Sequence, residues 1–526
     1  MLSNIRVIAL AAVGCAVAGC STPVPQVIKP QELPPAFTGP VAPGASLWPN
    51  PDWWKAFGSD ELSGLVTSAQ TDNLDIAVAM ANVLQAKANR DIAKAALFPT
   101  LDAEGSAQRS RSPGGSTQIT NPVTGVTSSA SSAYTFSQFG LTLDGTWVPD
   151  IWGLAQDNLR AAQEALKSSR FAQQEVALTT TATVANTYLD ILALREEIAT
   201  IQQNIDAANG ILKITQAQVT NGVSSELDLA QQEATVDGQV AALPPLREQE
   251  REAVFALAIL LGKPPEGFDV TAKNLNTLES PAVAPGLPSE LIERRPDVAE
   301  AEANLASQHA DVDAARAAFF PQLSLTGDGG LASTAIGTLF RGSSFEWSLG
   351  ANALQTVFDG GKLIGESDLA KAEQQGLIAT YRKTVISAFE GVETSLGQVS
   401  NFGDEQVALE KEVKASANAF RISELQYREG IVALLTVLQA QQTLFTAENQ
   451  LIQVKLSRLQ ADVGLYQSLG GGWVEKPKDA TQKTTTTGQL LITAQPAASA
   501  PAASPPAQPA ITPSQPANVP AQPAKE

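Results

Sequence analysis

The sequence predicts an α+β membrane protein with an internal duplication, in which very long helices fold back as hairpins and each copy of the unit carries a β-hairpin. Three observations predict it. A pattern recurs at an offset of 208 residues: the stretch Gln218-Val219-Thr220-Asn221-Gly222-Val223, closed forty residues on by Leu260-Leu261-Gly262, matches Tyr427-Arg428-Glu429-Gly430-Ile431-Val432, closed by Ser468-Leu469-Gly470. The lengths close on themselves: Asp60–Phe98 and Val223–Leu261 hold 39 residues each, beside 72 in the uninterrupted run Asp150–Asn221. Four segments alternate apolar and polar residues with period two, the signature of strands.

The 526 residues carry a net charge of −19, which argues against nucleic acid as a partner. Residues 1–19 read as an export signal, with Arg6 ahead of the apolar run Val7 to Val13. They end in Val17-Ala18-Gly19-Cys20-Ser21, which resembles a bacterial lipobox with Cys20 as the lipidated residue, an anchor to a membrane rather than a span. No cysteine follows Cys20, so neither a disulfide framework nor thiol chemistry is expected. Residues 20–59 form a linker rich in proline (Pro23, Pro25, Pro30, Pro34, Pro35, Pro40, Pro43) that ends in the aromatic cluster Trp53-Trp54-Lys55-Ala56-Phe57-Gly58.

The first repeat spans residues 60–262. Its opening helix ends at Pro99. Residues 100–148 read as a β-hairpin: Leu101, Ala103, Gly105 and Ala107 alternate with polar residues, residues 112–133 are turn-like, and Phe139, Leu141, Leu143, Gly145 and Trp147 alternate again. The long helix 150–221 carries apolar residues at Ile191, Leu194, Ile198, Ile201, Ile205, Ala208 and Leu212, steps of three and four that suit a coiled coil. A tip at Gly222 follows, then a return helix interrupted only by Pro244-Pro245. Residues 263–287 connect to the second repeat, 288–470: a helix stopped by Pro321, a hairpin over 322–357, a long helix 359–429, a tip at Gly430 and a return helix. In each repeat two shorter helices stacked end to end match one long helix, a rod of roughly 105 Å at 1.5 Å per residue. Residues 471–526 are low in complexity and read as a disordered tail.

The strands suit a bilayer crossing, where about 9–11 tilted residues suffice. Four strands cannot close a barrel, and lipid does not tolerate open edges. The chain must oligomerise, and three copies give a 12-stranded transmembrane β-barrel with four strands per chain.

With these elements placed, the chain from Trp53 to Trp473 resembles the outer-membrane efflux factors, the TolC-like family, and within it the nodulation-T-type lipoproteins. The resemblance rests on the lipobox, the Trp53–Gly58 cluster and the stretch Gly286-Leu287-Pro288-Ser289-Glu290-Leu291-Ile292-Glu293-Arg294-Arg295-Pro296-Asp297-Val298. It implies a homotrimer whose barrel is continuous with a long periplasmic α-helical coiled-coil barrel, with residues 20–59 and 263–287 forming an equatorial belt. It also implies a passive exit duct for small amphiphilic compounds or drugs, held in outer-membrane lipid and joined through a periplasmic adaptor to an inner-membrane efflux pump. A duct for type I protein secretion shares this architecture and is the alternative.

No cofactor, metal or enzymatic chemistry is expected: the lone His309 lies in a helical segment, and Gly327-Asp328-Gly329-Gly330 falls in a strand rather than before a helix. The expected functional chemistry lies at the tips. In a trimer Asp228 would form a ring of three carboxylates that favours cations. The resemblance places further gate positions at Val432, Thr436 and Gln439. Acids or an arginine of relatives are replaced there by uncharged residues, so Leu434, Leu435 and Thr436 are expected to constrict sterically. Asn221, Gly222, Val223, Glu429, Gly430 and Ile431 are the expected adaptor contacts.

Overall fold

A computed structural model of the chain describes residues 36–40, 46–112, 117–120, 123–124, 127–130, 133–286 and 288–473. They belong to a compact unit, residues 1–475. The signal, Cys20, most of the proline-rich linker and the tail after Trp473 lie outside the described residues.

A short strand β1 (Ser46–Leu47) and a 3-10 turn (Trp53–Phe57) lead into helices α1 (Asp60–Asp72) and α2 (Leu74–Ala95). Strands β2 (Thr100–Ser112), β3 (Thr117–Thr120), β4 (Thr127–Ala130) and β5 (Tyr134–Trp147) precede α3 (Leu154–Thr220) and α4 (Glu226–Leu260). The second half repeats this with β6 (Val283–Ala284), α5 (Pro288–Ile292), α6 (Pro296–Ala317), β7 (Gln322–Ser333), β8 (Phe345–Leu354), α7 (Lys362–Arg428) and α8 (Leu434–Ser468). The long helices hold 67 residues each and the return helices 35 each. The long helices begin 208 residues apart, at Leu154 and Lys362, whereas β2 and β7 begin 222 apart, at Thr100 and Gln322. The first hairpin is therefore 14 residues longer, and its excess holds the small β3–β4 ladder, Thr117↔Ala130 to Thr120↔Thr127. The sequence reading made this stretch turn alone; Thr117, Ile119, Thr120 and Thr127 are β-branched and favour a strand.

Three further differences have local causes. The opening helix of the first repeat is broken at Asn73, whose side chain accepts from the amides of Asp75 and Ile76 and so starts a new helix. In the second repeat the break falls at Arg295, held extended (φ −117°, ψ 123°) by the following Pro296. The long helices begin later than expected, after Gly153 and Gly361, because Asp150 and Asp359 stay outside as acceptors for the amides of Gln156 and of Gly361 and Leu363. Finally, α4 runs unbroken through Pro244 and Pro245. Both prolines and the neighbouring Val240 and Ala241 are exposed, so water reaches the carbonyls that lose their intrahelical partners.

The helices form one layer. On the strand side of the belt its order is α2–α3–α6–α7, and on the tip side α4–α3–α8–α7. The large sheet follows the same order, β2-β5-β7-β8, all antiparallel, with β2 and β8 as its edges. Its register sets odd-numbered residues opposite one another throughout. One face carries Leu101, Ala103, Leu141, Leu143, Trp147, Leu323, Leu325, Leu331, Trp347 and Leu349. The other carries Asp102, Glu104, Gln108, Thr142, Asp144, Thr326, Asp328, Glu346 and Ser348. Leu349 is 78 % and Trp347 66 % exposed in the single chain.

The core lies where the belt segments cross the helices. Trp53 stacks on Tyr466 with ring centroids 5.1 Å apart, and Trp53, Phe57, Tyr188, Leu189, Ile191, Leu192, Leu257 and Leu469 are almost fully buried. β1 pairs in parallel with β6, and Arg195 of α3 donates to the carbonyls of Val270 and Ala272 and to Glu250, tying the connection to the helices. Here each return helix meets a break in an opening helix. Asn73 donates to the carbonyl of Leu260 at 2.8 Å, and Arg295 to that of Ser468 at 2.8 Å, so the residue at each break satisfies an orphan carbonyl of the docked helix.

Candidate functional site

Each hairpin turns at a glycine. Gly222 and Gly430 adopt φ 74° and 70°, a region closed to most side chains. The hydrogen bonds repeat: Gly222 N to Val219 O and Val223 N to Gln218 O in the first tip, Gly430 N to Tyr427 O and Ile431 N to Gln426 O in the second. This six-to-one and five-to-two pair is the Schellman motif, which leaves little freedom in how the chain exits the helix.

The return helices start differently. In α4, Ser225 accepts from the Asp228 amide at 3.2 Å, and the Asp228 carboxylate accepts from the Ser224 and Ser225 hydroxyls, both at 2.8 Å, and from the Ser225 amide. This is a reciprocal capping box. The Ser224 hydroxyl first, then the Ser225 groups, hold the carboxyl below the usual range. The matching positions in α8 are Ala433 and Thr436, and no side chain caps that helix. The second tip is held by packing instead: Leu434 and Val437 are buried with Tyr427, Phe420 and Ile211, and Val432 packs against them.

The expected site residues sort accordingly. Asn221, Gly222, Val223, Glu429, Gly430 and Ile431 are all exposed, with Val223 and Ile431 at 72 % and 69 %. Leu227 and Leu435, equivalent in the repeat, are likewise exposed, as are Thr436 and Gln439. Val432 and Asp228 are half-buried. Leu434 does not belong among constricting residues, since it is 2 % exposed within its own hairpin. A leucine opening an uncapped helix is needed for packing there.

The sequence reading missed Tyr427. Its hydroxyl lies 3.0 Å from that of Thr215, and its carbonyl accepts from Gln218 at 3.2 Å, so it clasps the second tip to the first. A mismatch within the repeat marks it, since the position 208 residues earlier is Val219.

A two-faced sheet with unpaired edges, joined to hairpins of 67- and 35-residue helices with turned tips, defines an outer-membrane channel subunit. The comparisons specify which kind. The sequence profile described as "Outer membrane efflux protein" matches residues 65–263 and 287–471. The pyoverdine export outer membrane protein OpmQ of Pseudomonas aeruginosa is 38 % identical over 421 residues, covering 80 % of this chain and 87 % of its own. The antibiotic efflux pump outer membrane protein ArpC of Pseudomonas putida is 31 % identical over 467 residues, 86 % of this chain and 94 % of its own. Among solved structures, the outer-membrane channel OprN superposes with a TM-score of 0.74 at 25 % identity, over 84 % of this chain and 97 % of its own. The open state of the Neisseria gonorrhoeae channel MtrE gives 0.72 at 26 %, over 84 % and 96 %. The chain belongs to the outer membrane efflux protein family, and its function is that of the outer-membrane channel component of an efflux pump.

Proposed function

We propose that three copies of this chain close twelve strands into one barrel and align their helix layers into a periplasmic tunnel, forming a passive exit duct for small amphiphilic compounds. The tips seat a periplasmic adaptor that couples the duct to an inner-membrane pump, and acyl chains on Cys20 add a lipid anchor. The observation that carries this reading is the sheet: apolar on one face, acidic and polar on the other, with β2 and β8 unpaired at its edges. Open edges and an exposed apolar face are stable in a membrane only when neighbouring copies pair the edges. The helix layer supports the same assembly, with Leu84 of α2, Ile259 of α4, and Ile386 and Val407 of α7 exposed on its edge helices. Transport of small molecules is favoured over secreted proteins because the similar proteins include one described by pyoverdine export and one by antibiotic efflux.

The repeat offsets extend the internal β5–β7 register to the next copy. The pairing of Leu143 with Gly329 becomes, after offsets of 208 and 222 residues, one that sets Ala351 opposite Ala107 of the neighbour. Cysteines at Ala107 and Ala351 together are expected to give disulfide-linked trimers on unheated gels. Persistent monomers would refute the assembly.

A further inference from the structure

The seams between helices of the tip-side layer differ in chemistry. Within the hairpins they are chiefly apolar: Ile201 and Ile205 of α3 meet Leu243 of α4, with buried Gln232 donating to the Ala208 carbonyl at 2.7 Å, and Phe420 of α7 meets Val437 and Leu444 of α8. Between the hairpins, where α3 meets α8, the seam carries a polar ladder. Gln460 donates to Asp190 at 2.8 Å, and Gln453 donates to Glu197. The two acids lie seven residues apart on α3 and the two amides seven apart on α8, so successive rungs fall on the same helix faces. Another seven residues along, Asn204 is 4 % exposed, and its neighbour on α8 is Glu448. There the rung is weaker: the Asn204 side chain still acts on the Glu448 carboxyl, but Asn204 Nδ2 and Glu448 Oε2 are buried without a well-formed hydrogen bond. Nearer the tip, Gln441 of α8 is 1 % exposed with both amide atoms unpartnered. The ladder is closed beside the belt and frays toward the tip.

Among the described residues no cation neutralises these acids. Burial pushes the carboxyls of Asp190, Glu197 and Glu448 above the usual range, and only Gln460, Gln453 and Asn204 act against it. The nearby cations are otherwise engaged, Lys455 by Glu196 and Asn276, Arg458 by Gln406, Arg195 by Glu250 and Asp269. Asp206 of α3, Glu233 and Asp237 of α4, and Glu405 and Glu410 of α7 are exposed. Further up α8, buried Asp462 is pushed up to about 6 by burial, against the Ser280 hydroxyl and Arg458.

We propose that the α3–α8 ladder is a proton-dependent latch between the two hairpins, packed shut while its carboxyls are protonated and loosened from the tip upward as they ionise. A group whose packed-state pKa is raised favours packing at pH below its open-state value, and that advantage disappears as pH rises through the packed value. The window therefore begins at the ordinary carboxylate range and extends upward from it for Asp190, Glu197 and Glu448. The ladder joins helices of a single chain, so it stands on the fold alone and not on the duct reading.

The test is the distance between spin labels at Asn221→Cys and Glu429→Cys in the full-length protein in lipid, measured at pH 5 and pH 8 by pulsed dipolar spectroscopy. The inter-tip distribution is expected to shift to longer distances at pH 8. Asp190→Asn with Glu197→Gln keeps the shape and removes the charge, and is expected to hold the pH 5 distribution at both values. Gln453→Glu, which faces Glu197 with a second acid, is expected to show the longer distances already at pH 5. A wild-type distribution that ignores pH overturns the latch. So does a shift that survives in the double variant, or one abolished instead by Asp228→Asn, which would place the titration in the cap. Glu197→Gln alone is the fallback if the double variant does not fold, with about half the shift expected and a full shift counting against the latch. Because the readout is a distance and not a current, a failed duct and a failed latch are told apart.

Discussion

Replacing Ser225 by alanine tests what holds the first tip. The change removes the oxygen that accepts the Asp228 amide at 3.2 Å and one of the two hydroxyls bound to the Asp228 carboxylate at 2.8 Å. Loss of an N-cap hydroxyl costs about 1 kcal/mol. The carboxylate's attraction to the helix N-terminus adds at most a few tenths of a kcal/mol for so accessible a group. At 1.4 kcal/mol per tenfold, the first turn of α4 should open about five times more often. Hydrogen exchange over residues 225–231 of the full-length protein reads this directly, as about fivefold faster exchange at fixed pH. The reciprocal change, Ala433→Ser with Thr436→Asp, should slow exchange at the start of α8 by a similar factor, because that helix has no side-chain cap. The wild-type cap also has a pH signature. Asp228 is held below its ordinary value, so the cap is complete above that value and is lost as pH falls through the lowered one. Unchanged exchange in Ser225→Ala, or no gain in the reciprocal variant, would refute capping as the difference between the tips.

Other substitutions probe other joints. An added Cβ at Gly470 would sit 1.8 Å from the carbonyl oxygen of Arg294, whereas one at Gly430 meets nothing within 4 Å. Gly430→Ala should cost only the left-handed strain, about 1–2 kcal/mol, while Gly470→Ala should lose folded protein, as protease resistance of purified membranes would show; equal effects would contradict the docking. Tyr427→Phe removes the hydroxyl shared with Thr215, which keeps its bond to the Ile211 carbonyl, so a loss of about 1 kcal/mol is expected, non-additive with Thr215→Val in exchange at the two tips. On the polar sheet face Asp102, Asp144 and Asp328 are direct cross-strand neighbours in one row. Asp144→Asn with Asp328→Asn should lower the cation preference of the channel in reversal-potential measurements, most at low salt, and an unchanged preference would show that the row does not face the conducting path.

The repeat, the hairpins and the tips were legible because they rest on local signals: period two in β5, β7 and β8, glycine after a helix, and a run of α3 without proline. The break at Asn73 was not, because Leu62, Val66 and Leu74 keep a helical spacing across it, and only the docked end of α4 makes a new cap worthwhile there. Asp150 and Asp359 read as helical for the same reason, since the sequence does not say whether an acid begins a helix or caps one. At the tip, glycine position gave the turn, but the partners of Asp228 are set by Ser224 and Ser225, and Leu434 is buried in a cluster that includes Ile211, 223 positions away in the chain, beside Phe420 and Tyr427. Heptad reading of α3 found its apolar stripe and passed over Asp190, Glu197 and Asn204, which repeat with the same period but depend on α8 for partners.

The joints at Asn73 and Arg295 have a mechanical consequence. Each opening helix is cut into two pieces, and a return helix butts against the cut, while α3 and α7 run past it uninterrupted. A strut made this way carries axial load through the unbroken helix, as a splint does. It resists bending less at the cut, where a few side-chain bonds replace a continuous backbone ladder. Both cuts lie level with the belt segments, so bending of each strut is expected to concentrate there, while a push at the tips still passes along the unbroken long helices.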